Sequence, residues 1–392
     1  MNQSLNYAWR RTMNRRRVCI LAAAVTCAAW IQAAESATAL SNAVAQARAI
    51  VQKEFAPKVP GLSAAVAIDG KIVWSEGFGF SDLAAKKPVT PATRFRIGSV
   101  SKSLTAVGLA LMVERGQLDL DAPVQKYVPD FPSYEPPITT RLLGGHLAGI
   151  RHYRSKQEML LNQSFTNSHE ALRIFWNDPL VATPGSKYNY STYGWTVISA
   201  VMEAAAREDF CHYMDENVIQ PLGMTHTRPD RKGVIDPDCT QFYQNDAAGK
   251  FVVAPVVDNS YKWAGGGYLS TSEDLVRFGS ALLQPGFLKA GSLELLFTPQ
   301  KTSDGTPTTY GLGWTVLQDA QGHRILLHTG GSIGGTSVLL LHPETKTVFA
   351  LACNHSTPSI AKKDRESIVE LFSAWVAVPP TNSAAPNATS SQ

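Results

Sequence analysis

Two blocks of strand pattern, one near each end of a 392-residue chain, limit the folds open to it more than any other feature. Residues 62–76 read as two apolar strands joined at Asp69-Gly70, the signature of a two-residue hairpin turn. Further strands are predicted at 310–316, 325–328, 336–341 and 347–353, with Pro343-Glu344 turning the last pair. Between the blocks, from Ser99 to about residue 300, the pattern is mainly helical. Helices are predicted at 101–114, 193–206 and 272–283, the last opened by Thr271 with Asp274 three residues on. A short helical pattern at 40–55 comes first, and a helix with Ile368, Leu371, Phe372 and Trp375 on one face comes last. Strands at both ends around a helical middle imply one sheet with helices packed on it, built from both ends of the chain. The expected class is α/β (α+β): an antiparallel sheet flanked by helices, with an inserted all-helical region. The body is expected at 40–376, its sheet portion at 40–102 and 300–376 and its helical region at 103–299. Residues 378–392, mostly Pro, Ser, Asn, Thr and Ala, read as a disordered tail.

The formal charge of +4 raises the question of a nucleic-acid or membrane-surface partner. Five arginines, Arg10, Arg11, Arg15, Arg16 and Arg17, lie in the first 33 residues, which hold no Asp or Glu. They precede residues 18–31, where only Thr26 is not apolar. That run is too short for a comfortable bilayer span, and small residues follow it, so residues 1–33 read as a signal peptide for periplasmic or secreted export. A mitochondrial transit peptide is the alternative; it would be expected to be amphipathic instead of carrying one apolar block. Without the leader, 31 basic residues face 32 acidic ones, so the body offers no electrostatic case for nucleic acid. No stable membrane span is expected after signal removal. Cys19 and Cys27 fall in the leader. Cys211 and Cys239 are candidates for a pair in an oxidising compartment, and Cys353 reads as a buried small hydrophobe.

Three segments offer chemistry. Ser99-Val100-Ser101-Lys102 places an S-x-x-K spacing where a helix should begin, so that Ser99 and Lys102 share a face beside the positive end of the helix dipole. A serine hydroxyl needs a base to become a nucleophile, and a lysine serves if burial and neighbouring charge keep it partly neutral. Spacing alone is weak, because composition supplies about one such pair by chance and Ser359 with Lys362 is another. The second segment is the polar loop from Pro184-Gly185 to Tyr190-Ser191-Thr192, which read alone is a turn and helix cap. The third, His328-Thr329-Gly330-Gly331, ends an apolar strand with glycines that permit close approach to the backbone, and read alone is a glycine-rich hairpin.

In this order the three segments resemble those of the serine β-lactamase and penicillin-binding protein superfamily, specifically its class C β-lactamase and D-alanyl-D-alanine carboxypeptidase branch. Residues 95–105, Tyr190-Ser191-Thr192-Tyr193-Gly194, Ala264-Gly265-Gly266-Gly267 and Tyr310-Gly311-Leu312-Gly313-Trp314 carry the likeness, which spans roughly 40–376. Gly149-Ile150-Arg151-His152-Tyr153 and the threonine at position 192 are similar to the mitochondrial β-lactamase-like peptidases of that branch. The resemblance implies a β-lactamase/transpeptidase-like fold and an acyl-enzyme on Ser99. It implies that Lys102 moves the serine proton, and that Tyr190 acts with it as base and then protonates the leaving group. His328 and Thr329 would hold a substrate carboxylate or carbonyl, and the N–H groups of Ser99 and Gly331 would form the oxyanion hole. Thr192 would contact substrate in place of the usual Asn, and His328 replaces the lysine of true β-lactamases, so that charge there is expected to vary near neutral pH.

The implied activity is amide or ester hydrolysis, foremost that of a peptidase or D-alanyl carboxypeptidase, on a small peptide, β-lactam or ester. A β-lactamase, a carboxylesterase and a non-hydrolysing binder of cell-wall peptides are the alternatives. Gly330-Gly331-Ser332-Ile333-Gly334 matches the G-x-S-x-G nucleophile elbow, but that motif needs a helix after it and a strand is predicted here. The nine histidines show neither H-E-x-x-H nor paired helical spacing, so no metal and no cofactor are expected. His146 and His152 read as structural or rim residues.

Overall fold

The computed structural model describes residues 37–356 and 362–376. The leader at 1–33, the tail at 378–392, Cys19, Cys27 and Ser359 lie outside these. Residues 50–369 form the larger of two compact units. The described part of the other consists of helical residues 37–49 and 370–376.

Twelve strands are present among the described residues: β1 (Gly61–Ile68), β2 (Lys71–Asp82), β3 (Lys87–Pro88), β4 (Phe95–Arg96), β5 (Arg228–Pro229), β6 (Tyr243–Asn245), β7 (Phe251–Val253), β8 (Tyr268–Ser270), β9 (Thr315–Gln318), β10 (Arg324–Ser332), β11 (Gly335–His342) and β12 (Thr347–Cys353). Seven of them form one sheet in the order β3-β2-β1-β12-β11-β10-β9. β1 pairs antiparallel with β12, Leu62 opposite Cys353, so the two ends of the chain meet at the sheet centre. Asp69 and Gly70 both take positive φ, 45° and 80°, as the hairpin turn between β1 and β2 demands.

β1, β11 and β12 are buried along their whole length, which explains continuous apolar runs in place of alternation. The Ser272–Leu282 helix packs on β1 and β12. Its N-cap Thr271 accepts the Asp274 N–H at 3.1 Å, and Ser272 Oγ donates to the Ser63 carbonyl at 2.9 Å. Gly279 lets that helix approach, since a Cβ there would stand 2.6 Å from a Val348 methyl. The Val100–Glu114 helix is buried from Val100 through Met112, running through the core with its polar residues, Ser101, Lys102, Ser103 and Thr105, gathered in its first two turns. Its N-terminus emerges beside β10, which sets the position of Ser99.

The structure departs from the sequence reading in three places. Residues 310–314, expected as strand, form a turn, because Gly313 takes φ 75° and a Cβ on Gly311 would lie 2.2 Å from the Leu296 carbonyl oxygen. The helical middle contains the short strands β4, β5 and β8, which form a small sheet of their own, and the β6–β7 hairpin. Cys211 and Cys239 are free thiols; Cys211 sits in the Phe210–Met214 helix while Cys239 bridges to Arg94 beside β4. The chain after Ser332 turns directly into β11, so no helix follows the G-x-S-x-G string.

Candidate active site

Ser99 is the N-cap of the Val100–Glu114 helix, and Gly98 before it takes φ 48°. The first turn presents Ser99 and Lys102 on one face, with Lys102 Nζ 3.1 Å from Ser99 Oγ. Two further oxygens complete the amine's surroundings, Gly265 O at 2.5 Å and Thr192 Oγ1 at 3.2 Å. Lys102 has no exposed surface, whereas Ser99 is half-buried and reachable. Burial pushes the Lys102 amine well below the ordinary lysine range, and the charge of Lys262 pushes it further. Lys262 is itself buried and is lowered to about 7 by burial and by Arg96, against an opposing pull from Asp230. Arg96 and Asp230 form a buried ion pair at 2.6 Å.

Tyr190 neighbours Ser99, and its ring centroid lies 5.0 Å from Lys102 Nζ. Burial raises this phenol above the tyrosine range, so it holds its proton at neutral pH. The loop that carries it is held by two imidazoles. His146 Nδ1 accepts the Ser191 N–H at 3.1 Å, and His152 Nδ1 accepts the Thr192 N–H at 3.2 Å. Both Nδ1 atoms are therefore unprotonated. Burial keeps them so, lowering His152 to about 4 and His146 well below its usual value. The His146 ring also packs against Tyr190 and Tyr310, with centroids 4.2 and 4.7 Å away. Ser191 caps the Thr192–Ala206 helix by accepting the Gly194 N–H at 3.0 Å, which aims the Thr192 side chain at Lys102.

β10 forms the opposite wall. Gly330 lies so close to Ile97 that a Cβ would stand 1.9 Å from its carbonyl oxygen, and Gly98 approaches the Gly331 N to 2.7 Å by the same measure. Only glycine fits at 330, and the contact sets the backbone of Gly331 alongside that of Ser99. Gly331 is exposed and Thr329 half-buried on this wall. His328 is buried, and both its nitrogens are engaged. Nδ1 donates to the Thr329 carbonyl at 2.8 Å, so in the neutral ring Nε2 accepts the Tyr310 hydroxyl at 2.7 Å. Burial first, then the Lys102 charge, lowers His328 to about 3. The expectation that this residue changes charge near neutral pH therefore fails, because it holds only for a solvated ring and this one is buried.

The structure thus brings Ser99, Lys102, Tyr190, Thr192, His328, Thr329 and Gly331 into one region. The Thr192 hydroxyl is turned to Lys102, not outward. Sequence reasoning missed Lys262, Tyr310 and the Gly265 carbonyl as neighbours of these groups, although Gly265 and Tyr310 stand inside the strings that carry the resemblance. It also missed that His146 and His152 hold the tyrosine loop.

The Beta-lactamase family description matches residues 42–372. Among curated proteins, the human Serine beta-lactamase-like protein LACTB, mitochondrial, is 34% identical, the match covering 73% of this chain and 69% of that protein. Penicillin-binding protein 4* of Bacillus subtilis is 25% identical over 72% of this chain and 66% of its own. Among solved structures, an octameric penicillin-binding protein homologue from Pyrococcus abyssi superposes with TM-score 0.72 at 25% identity, covering 85% of this chain and 77% of that one. With the family matched over most of its length and the serine–lysine turn at the mouth of its buried helix, this chain belongs to the β-lactamase family of serine hydrolases.

Proposed function

We propose that the chain hydrolyses the amide bond of a short peptide through an acyl-enzyme on Ser99, as a D-alanyl carboxypeptidase-type peptidase. The observation that carries this reading is the 3.1 Å approach of a fully buried, neutral-leaning amine to the hydroxyl of a reachable serine. A neutral Lys102 has two N–H groups and one lone pair. The N–H groups suit Gly265 O and Thr192 Oγ1, leaving the lone pair to take the Ser99 proton as Oγ attacks the carbonyl carbon. The resulting ammonium then donates to three oxygens already in place. The developing oxyanion takes the Ser99 and Gly331 N–H groups, each worth about 3 kcal/mol in comparable hydrolases. Tyr190, protonated at neutral pH, gives its hydrogen to the leaving nitrogen and regains one from Lys102. Proton removal from Ser99 thus falls to Lys102, and Tyr190 serves as the acid. His328, neutral and bonded at both nitrogens, offers no fixed charge for a substrate carboxylate. Thr329 takes that contact.

A D-Ala-D-Ala peptide, a p-nitrophenyl ester and a chromogenic cephalosporin, assayed side by side, test the reading. The peptide is expected to give the highest kcat/KM, and stoichiometric acylation without turnover on all three would favour the non-hydrolysing binder. Tyr190→Phe separates acid from base. Its kcat on the peptide should fall on the order of 10²-fold, with KM little changed, whereas p-nitrophenolate leaves without a proton and should slow far less. Equal losses on both substrates would assign Tyr190 to deprotonating Ser99.

For cellular location, the export reading of residues 1–33 competes with the organellar one, and the mitochondrial designation of the human relative supports the latter. No helix among the described residues is long and apolar enough to cross a membrane.

A further inference from the structure

The turn between β9 and β10 lies at the end of the sheet remote from Ser99, roughly 25 Å along β10 from Gly331. There Asp319 Oδ1 accepts the N–H groups of Gln321 at 2.9 Å and His323 at 2.8 Å, which fixes the carboxylate. Its other oxygen, Oδ2, faces His323 Nδ1 at 3.0 Å and His342 Nε2 at 3.3 Å. His342, at the end of β11, is buried; His323 is exposed. Glu344 adds a second carboxylate 4.0 Å from His342 Nδ1.

The hydrogen bonds behind His342 decide what its Nε2 presents. Nδ1 lies 2.9 Å from Thr345 Oγ1, and the Thr345 hydroxyl donates its hydrogen to Thr347 Oγ1 at 2.9 Å. Thr345 Oγ1 must therefore accept from His342, so the ring hydrogen sits on Nδ1. In the neutral tautomer Nε2 is then a bare lone pair aimed at a carboxylate oxygen. Two acceptors at 3.3 Å repel unless a cation lies between them or the imidazole is protonated.

We propose that Asp319, His323 and His342 form a binding site for a divalent transition-metal ion of the zinc class. Two imidazole nitrogens and one carboxylate oxygen are a ligand set suited to zinc, cobalt or nickel. Bonds of about 2.0–2.1 Å in a tetrahedron place ligand atoms about 3.3 Å apart, close to the 3.0 and 3.3 Å seen here, and all three atoms lie within 4.8 Å of one another. The Thr345 hydroxyl behind Nδ1 supplies the outer hydrogen bond that metal-binding histidines usually have, fixing the tautomer and the ring plane. The exposed His323 side leaves a route for the ion and a fourth position for water. No local sequence motif encodes the set, because the ligands come from a hairpin turn and a separate strand end. A second group, Glu208, His212 and Glu216, with His212 and Glu216 exposed, serves as a control.

The test uses tag-free, full-length protein stripped with a chelator and titrated with Co²⁺, then with Zn²⁺ in competition. One equivalent of Co²⁺ per chain is expected, with visible d–d bands that Zn²⁺ abolishes. His323→Asn, at an exposed position that does not endanger the fold, and His342→Gln should each weaken Zn²⁺ binding about tenfold or more, and His212→Asn should leave it unchanged. Absence of saturable binding in wild type overturns the site. Binding that survives His323→Asn, or that is lost in His212→Asn, overturns it as well.

Discussion

Ser99→Ala is expected to abolish labelling by a fluorophosphonate or fluorescent penicillin and to lower turnover on the order of 10⁴-fold or more, with the thermal midpoint little changed. The size follows from what is removed. Without Oγ no acyl-enzyme forms, and the residual rate comes only from substrate binding and the oxyanion donors. The fold should tolerate the change, because Ser99 is half-buried, makes no side-chain capping bond to its helix and stands where Ala fits without strain. Two other serines give internal controls. Ser332 is buried at the β10–β11 hairpin without the strand-to-helix turn that exposes an elbow nucleophile, so Ser332→Ala should keep both labelling and rate. Ser359 precedes a cationic stretch and should behave in the same way. Label retained on Ser99→Ala would end the assignment, and mass spectrometry of the adduct would show which hydroxyl had been modified.

The parts of this site that could be read from the sequence are those that a single turn or strand brings together. Ser99 and Lys102 lie three residues apart, and a helix start alone puts them on one face. β12 matched its pattern at both ends, residues 347–353, because an unbroken apolar run ended by turn residues has little freedom of interpretation. Strands of two or three residues, such as β4 and β8, are shorter than any periodicity that would reveal them. Partnerships across the fold were equally silent. Lys102 meets Thr192 and Gly265 from 90 and 163 residues away, and His146 reaches the Ser191 amide across 45. Charge state was the least legible property. His328 carried an expectation drawn from a solvated imidazole, but burial beside Lys102 makes it neutral, and no local pattern in His328-Thr329-Gly330-Gly331 encodes that burial. The same principle acts on Lys102, where the environment and not the residue type decides whether the amine is a base.

Lys102→Met should lower the acylation rate by about 10³–10⁴-fold, since Met fills a similar volume and removes the lone pair that takes the Ser99 proton. Misfolding would also reduce activity, so the pH dependence of stability supplies the second readout. The amine's folded pKa lies well below its unfolded one. Between the two, the unfolded chain binds a proton that the native protein does not, and stability rises with pH. The contribution is an unfavourable one at neutral pH, relieved as pH approaches the unfolded lysine value of about 10.4. Wild type should therefore gain on Lys102→Met as pH is raised from 7 toward 10, by up to about 1.4 kcal/mol per unit, and the difference should level off above that range. Both proteins are compared by denaturant unfolding, so shared titrations cancel. In wild type, the acid limb of kcat/KM should follow the same ionisation, activity rising as Lys102 loses its proton, while the His146 and His152 bonds to the tyrosine loop are already formed because both imidazoles deprotonate at lower pH than usual. A flat stability difference, together with a rate within about tenfold of wild type, would mean that Lys102 is neither neutral nor the base, and the proton from Ser99 would have to leave by way of Tyr190.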